Sequence, residues 1–384
     1  MLSNTQVRRY SGSEMGQIGN ENSSAIWAYK TWTHRTPACQ CPHHGRQLCF
    51  LGKQESPEES VNIAPVVLFV YNRLDHTRQT VEALARNALA SSTDLFIYSD
   101  AEKDSSQADA VAGVREYIHS IQGFHQVVVR ERAANWGLAN SIIDGVSAVI
   151  ADRGRAIVLE DDIVCSMDFL DYMNGALNYY ALDKHVFSIS GYAYPGVLPA
   201  TYRGDVYMLY RFNCWGWATW FDRWQDVDWA VSDYSSFRIN LRAMRRFARG
   251  GDDVLLMLHQ ERSGCLESWA IRCYYAQARH GQWTLYPRYS KVENIGFDDS
   301  GVHTGAGGVF TFRQQAISSP RPTVFLSGLA VDSQVNAAMT QVYRAHGRTR
   351  LFAAASLILG ERVARWMLGR VHAIRRHQRL RGGN

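Results

Sequence analysis

The chain has 384 residues, 46% hydrophobic and 20% charged, an ordinary composition for a soluble globular protein with a full core. No run reaches the ~18 apolar residues that a membrane span needs, and the amino terminus lacks the basic-then-apolar layout of a signal peptide, so a cytoplasmic protein is expected. The net charge of +5 is uneven: ten Arg and a single acid, Glu361, lie from Arg344 onward, so the tail carries about +9 and the rest about −4.

Residues 1–60 are polar, rich in Ser, Asn, Gln and Gly, and read as a poorly ordered extension. Within it, Cys39, Cys41, His43, His44 and Cys49 form a compact set of soft ligands. Their spacing is not one of the usual zinc patterns, so a zinc site and an unstructured leader both stand. The other four of the seven Cys (Cys165, Cys214, Cys265, Cys273) are spread through structured sequence, which argues for reduced thiols rather than a disulfide scaffold.

The fold begins with Pro65 to Tyr71, a β-branched apolar run ending at Asn72-Arg73, followed by a helical pattern over Thr77 to Asn87. The unit repeats: Asp94 to Asp100 reads as a strand, Ala108 to Ile121 as a helix, Gln126 to Arg130 as a strand, Leu138 to Ala151 as a helix and Arg155 to Leu159 as a strand. Such alternation predicts an α/β fold, a mostly parallel sheet flanked by helices. Neither G-x-G-x-x-G nor G-x-x-x-x-G-K-[ST] is present, so phosphate must be met by something other than a glycine-rich cradle.

The fourth strand delivers Glu160, Asp161 and Asp162 at its carboxyl end. Three clustered like charges are costly without a cation, and the ends of parallel strands are where open α/β sheets bind ligands. A metal on Asp161 or Asp162 could bridge a diphosphate, while a solvated acidic turn is the competing reading. Beyond it, Met167 to Tyr180 reads as a helix and Val186 to Gly191 as a strand. The following loop holds Trp215, Gly216, Trp217 and Trp220, suited to stacking on a sugar face or to packing as a hydrophobic turn.

In this order the pieces resemble the GT-A class of nucleotide-sugar glycosyltransferases, especially the branch with N-acetylglucosaminyltransferase I and bacterial relatives acting on surface polysaccharides. The resemblance covers residues 64–312 and rests on Val70-Tyr71-Asn72-Arg73, Tyr98-Ser99-Asp100, Asn135-Trp136-Gly137-Leu138-Ala139-Asn140, Leu159-Glu160-Asp161-Asp162 with Asp168-Phe169, Cys214-Trp215-Gly216-Trp217 and Asn294 to His303. It implies a Rossmann-like GT-A domain over residues 61–325, with a nucleotide-binding half (61–165) and an acceptor-side half (166–325). Arg73, Asp100, Asn135 and Asn140 would lie at the nucleotide, although Arg73 and Asp100 also suit a surface salt bridge. Asp162 would hold Mn²⁺ or Mg²⁺, with Glu160 and Asp161 at the sugar, ribose or metal-bound water and Trp215, Gly216 and Trp217 at the donor. His303 would complete the metal or diphosphate shell.

Glu267 stands where the family carries an acid before a Trp, which would make it the base, but Ser268 replaces the second acid found there in N-acetylglucosaminyltransferase I. Asp252 and Asp253 compete for that role or cap a helix. The implied activity is transfer of a sugar from a nucleotide diphosphate donor to a hydroxyl of a glycan or lipid-linked acceptor, with inversion. A nucleotidyltransferase and a non-catalytic glycan-binding protein are the rivals. Residues 326–384 are expected to be a basic helical tail whose amphipathic helix over Leu351 to Arg376 suits an anionic membrane at the inner face, or docking on the domain. No base-reading motif accompanies that charge, so nucleic acid is not an expected partner.

Overall fold

The computed structural model of the chain describes residues 62–297, 317 and 320–343. The cysteine- and histidine-bearing leader, His303 and the tail from Arg344 lie outside the described residues.

The first half follows the alternation read from the sequence: β1 (Val66–Val70), α1 (Leu74–Ala85), β2 (Asp94–Ser99), α2 (Ala108–His119), β3 (Gln126–Glu131), α3 (Leu138–Arg153) and β4 (Arg155–Glu160). The short antiparallel strand β5 (Ile163–Cys165) leads into α4 (Phe169–Tyr179), β6 (Val186–Ser190), β7 (Val206–Leu209) and β8 (Trp217–Trp220). Helices α5 (Phe221–Trp224), α6 (Tyr234–Phe237), α7 (Leu241–Phe247), α8 (Val254–Arg262) and α9 (Trp269–His280) precede β9 (Trp283–Pro287), β10 (Val292–Asn294) and α10 (Ser333–Val342).

Eight strands form one sheet in the order β3-β2-β1-β4-β8-β6-β9-β7. The pairings β1–β2, β1–β4, β2–β3 and β6–β9 are parallel, and only β7 and β8 run against the other six strands. Both faces of the sheet are buried, which is why β1 reads as an unbroken apolar run. Val66, Leu68 and Val70 point into a core shared with α1, α2, α4 and α10, whereas Val67 and Phe69 point into one shared with α3, α8 and α9. A Cβ on Gly145 would come within 2.8 Å of the Phe69 ring, so glycine lets α3 lie close against β1.

Two expectations change here. The Trp-rich stretch is not all loop, because Trp217–Trp220 forms β8, wedged antiparallel between β4 and β6. The domain also does not end at residue 325: Phe325, Leu329 and Val331 pack against the first core, and Val335, Met339 and Tyr343 are buried in it. Only the part of the expected tail beyond Tyr343 is outside the described residues.

Candidate active site

From β1 the chain continues sideways to β2 and β3, while β4 joins β1 on its other edge. The strand order therefore reverses between β1 and β4, and the crevice beyond their carboxyl ends is the place where such sheets bind ligands. Arg73 follows β1 there and Glu160-Asp161-Asp162 close β4.

The Arg73 guanidinium bridges two of the three acids. Its Nη2 pairs with Asp161 Oδ1 and lies 2.9 Å from Asp162 Oδ2, with Nε 3.4 Å from Asp161 Oδ2. Burial works against the Arg73 charge, but the two carboxylates outweigh it and raise its pKa. Burial pushes Asp161 up to about 6 despite the pull of Arg73. Glu160 goes up to about 8, through desolvation and then the charges of Asp162 and Asp161. Thr80 Oγ1 donates to the Asp161 carbonyl at 2.8 Å, fixing the turn that carries the triplet onto α1. Of the two readings of Arg73, the salt bridge is what forms, but it is largely buried and lies inside the crevice.

The two-stranded pair β5–β10 sets Asn294 opposite Ile163, and the Ile295 N–H donates to the Asp162 carbonyl at 2.9 Å. A Cβ on Gly296 would stand 2.2 Å from Asp162 Oδ2 and 3.1 Å from Arg73 Nη1. Only glycine fits there without displacing the carboxylate. Asp162 Oδ1 is buried and finds no hydrogen-bond partner among the described residues, an arrangement that costs free energy unless a cation or donor arrives.

That orphaned oxygen is the test of metal binding, and it fits a hard divalent cation such as Mn²⁺ or Mg²⁺. Among the described residues no three His, Cys, Asp or Glu side chains converge as a ligand set. The protein would thus offer one or two carboxylate oxygens, with phosphate and water supplying the remainder, as is usual for Mg²⁺ at phosphate sites.

Asp100, just beyond β2, has a different task from the one expected. Its carboxylate accepts from three backbone N–H groups, those of Ala101 at 3.0 Å, Trp136 at 2.9 Å and Gly137 at 2.9 Å. It therefore builds the loop before α3, and its acceptor capacity for a base or ribose is largely taken. The Asn135 amide donates to the Ala101 carbonyl at 2.6 Å and that of Asn140 to the Trp136 carbonyl at 2.9 Å, so both act on the same loop. Trp136, quoted in the motif but given no role, is the residue that this loop presents: it is 43% exposed, with the Arg132 guanidinium 3.9 Å from its ring centre. The Trp between Asn135 and Gly137 was the available signal.

Glu267 reaches this same corner. A Cβ on Gly137 would lie 3.4 Å from Glu267 Oε1, which puts the carboxylate at the amino end of α3, where unpaired N–H groups favour negative charge. Ser268, in place of a second acid, caps α9 by accepting from the Ile271 N–H at 3.4 Å. Asp253 is removed from contention as a base, because Arg211 holds both its oxygens at 2.9 and 2.8 Å and then stacks on Tyr343 at 3.5 Å.

The indoles divide. Trp217 is 1% exposed and packs on Phe212, Trp224 and Trp269, so it is core and not a donor platform. Gly216, at φ +54, is where backbone passes close to Val292, whose Cγ1 would be 2.7 Å from an added Cβ; it too is structural. Trp215 remains partly exposed, edge-on to Tyr192 at 4.7 Å and to Phe297 at 5.6 Å. It therefore borders the segment that carries Gly296. With Trp217 and Trp220 buried, the tryptophan cluster does not form the open platform of a glycan-binding module.

No protein-family model matches the chain, and no curated protein matches it. Among solved structures it is similar to the mannosyltransferase PcManGT from Pyrobaculum calidifontis in complex with GDP-Man and Mn²⁺, at 11% identity and a TM-score of 0.32 over 57% of this chain and 71% of that one. It is also similar to S. aureus TarS 1–349, at 7% identity and a TM-score of 0.28, covering 44% of this chain and 49% of that one. A longer TarS structure gives 9% identity and a TM-score of 0.30, with 43% and 30% covered. At scores this low, the functional reading rests on the site.

Proposed function

We propose that the protein is a divalent-metal-dependent glycosyltransferase that moves a sugar from a nucleotide diphosphate donor to a hydroxyl of a glycan or lipid-linked acceptor, in surface polysaccharide synthesis. The observation that carries this reading is the acid cluster at the switch point between β1 and β4, where Asp162 keeps a buried oxygen without a hydrogen-bond partner among the described residues. The motif order read from the sequence supports the choice of sugar transfer among the reactions such a site can serve.

Asp162 Oδ1 would hold the cation, and Glu160 would face the sugar or metal-bound water. The cation, when bound, offsets the charge of the departing diphosphate, so the bond to the sugar breaks without a strong acid. Arg73 holds Asp161 and Asp162 in place and sits where it can turn toward phosphate. The loop pinned by Asp100 presents Trp136 as a flat wall for a base or sugar ring. Glu267, at the amino end of α3, would accept the proton of the acceptor hydroxyl as its oxygen attacks the anomeric carbon. A single base with no evident nucleophile favours direct displacement and inversion.

A panel of nucleotide-sugars assayed for hydrolysis and transfer with and without Mn²⁺ tests this. One donor should turn over only with metal, and Asp162→Ala should lower that turnover at least ~100-fold with thermal stability little changed. Glu267→Gln should lose transfer to acceptor by ~100-fold or more while still binding donor. Metal-independent turnover, or a fully active Asp162→Ala protein, would overturn the proposal.

A further inference from the structure

The stretch from Ser235 to Gly250 contains five arginines (Arg238, Arg242, Arg245, Arg246, Arg249) and no acid. All five side chains are exposed, and none makes an ion pair among the described residues. Two large aliphatic residues stand out among them, Ile239 at 76% exposure and Leu241 at 66%. This is costly exposure for a turn, yet the turn is well made. The Asn240 side chain caps α7, accepting from the Arg242 and Ala243 N–H groups at 3.1 Å each. The opposite side of α7 is anchored by buried Phe247, whose ring packs on Phe237 and Tyr274. The aliphatic pair is therefore held outward by the fold.

A groove of about 450 Å³ opens at Asn240, between the pair, and is lined by the buried rings of Phe237, Phe247 and Tyr275, by Asp233 with Arg279, and by Arg242 and Arg246. These two arginines are one helical turn apart and face the same side. The Arg279 across the groove is already paired with Asp233 at 2.6 Å, so the cations left for a ligand are those of α7.

We propose that this face docks the enzyme on an anionic phospholipid surface, with Ile239 and Leu241 entering the headgroup layer, the arginines meeting lipid phosphates, and the α7 groove taking a headgroup. Unpaired cations around protruding aliphatic side chains match a surface that is negative outside and apolar beneath. A soluble polyanion would be matched by the charges but not by the aliphatic pair. The surface is made by residues 233–249 with Tyr275, Ala278 and Arg279, none of which belongs to the acid cluster at β1 and β4. Helix α9 runs from Trp269, two residues after Glu267, to Ala278 at the groove, a rise of about 14 Å. Membrane docking on this face does not depend on the sugar-transfer reading, since its test measures lipid binding alone.

Flotation of the full chain with vesicles of phosphatidylcholine alone and of phosphatidylcholine mixed with phosphatidylglycerol provides the test. The wild-type chain should float with the mixed vesicles and not with the neutral ones. Each arginine near such a surface changes partitioning by about fivefold, so combined Arg242→Gln, Arg245→Gln and Arg246→Gln should reduce it at least tenfold. Ile239→Ser with Leu241→Ser should reduce it severalfold with every charge intact. All five positions are exposed, and unchanged thermal unfolding would show that both variants fold. No flotation of the wild type, equal flotation with neutral vesicles, or variants that float like the wild type would each overturn the proposal. So would arginine-dependent binding that is indifferent to the serine substitutions.

Discussion

At the scale of single residues, the crevice is organised by which carboxylate oxygens are already engaged. Asp100 spends its lone pairs on backbone N–H groups, Asp253 on Arg211 and Asp161 on Arg73. Asp162 retains a buried oxygen that has no hydrogen-bond partner among the described residues. That difference separates positioning residues from the candidate ligand, and no count of acids in the sequence reveals it. The neighbour that makes room for it is Gly296, at which an added Cβ would stand 2.2 Å from Asp162 Oδ2. Gly296→Ala should therefore lower metal-dependent turnover by about 100-fold, the effect of an ångström-scale misplacement. Its thermal unfolding should stay near that of the wild type, and Mn²⁺ should no longer raise the melting temperature in the presence of donor. An alanine protein with wild-type turnover would mean that Asp162 does not hold the cation.

At the scale of elements, the first four strands and three helices were legible because each is regular in itself. Buried parallel strands are continuous apolar runs, helices carry a stripe at a period of 3.6, and Gly154 closes α3 at φ +74. Most elements between β6 and the tail escaped, among them β8, four residues in an aromatic cluster whose strand character comes from pairing with β4 and β6. The docking of α10 escaped as well: it lies in the stretch expected to be a helical tail, and its place in the core is set by residues far along the chain. It is capped by Asp332, which accepts from the Gln334 and Val335 N–H groups at 2.8 and 3.0 Å, and it sinks Val335 and Met339 into the core. Met339→Ala should destabilise the domain by about 3 kcal/mol, measured by denaturant unfolding. A solvent-facing tail helix would lose less than about 0.5 kcal/mol for the same change.

At the scale of the whole molecule, three distant segments meet at one ion pair. Lys291, 2% exposed, lies 2.5 Å from Asp168, and Asp168 also accepts from Ser166 Oγ at 2.6 Å and from the Arg321 N–H at 3.0 Å. Burial would raise the Asp168 pKa, but Lys291 and these donors outweigh it and hold the pKa below the usual carboxylate range. A depressed native pKa contributes stability that is present above the unfolded carboxylate value and is lost as pH falls through the native one. Melting curves should thus show an acid limb, and Asp168→Asn should lower stability at neutral pH and flatten that limb. An equally steep limb in the variant would assign the acid sensitivity to other groups. Among the described residues no helix is long and apolar enough to cross a membrane.

The sequence by itself determined the α/β alternation and the delivery of three acids to a strand end. Those properties are written in local periodicity and in residue type, which neighbours far along the chain cannot alter. Only the tertiary structure decided that Trp217 is core while Trp136 is exposed, that the domain continues through Tyr343, and that Asp162 rather than Asp161 keeps a free oxygen. Each of these depends on which side chains arrive from elsewhere to fill a space or a lone pair, and the order of residues along a chain does not record that.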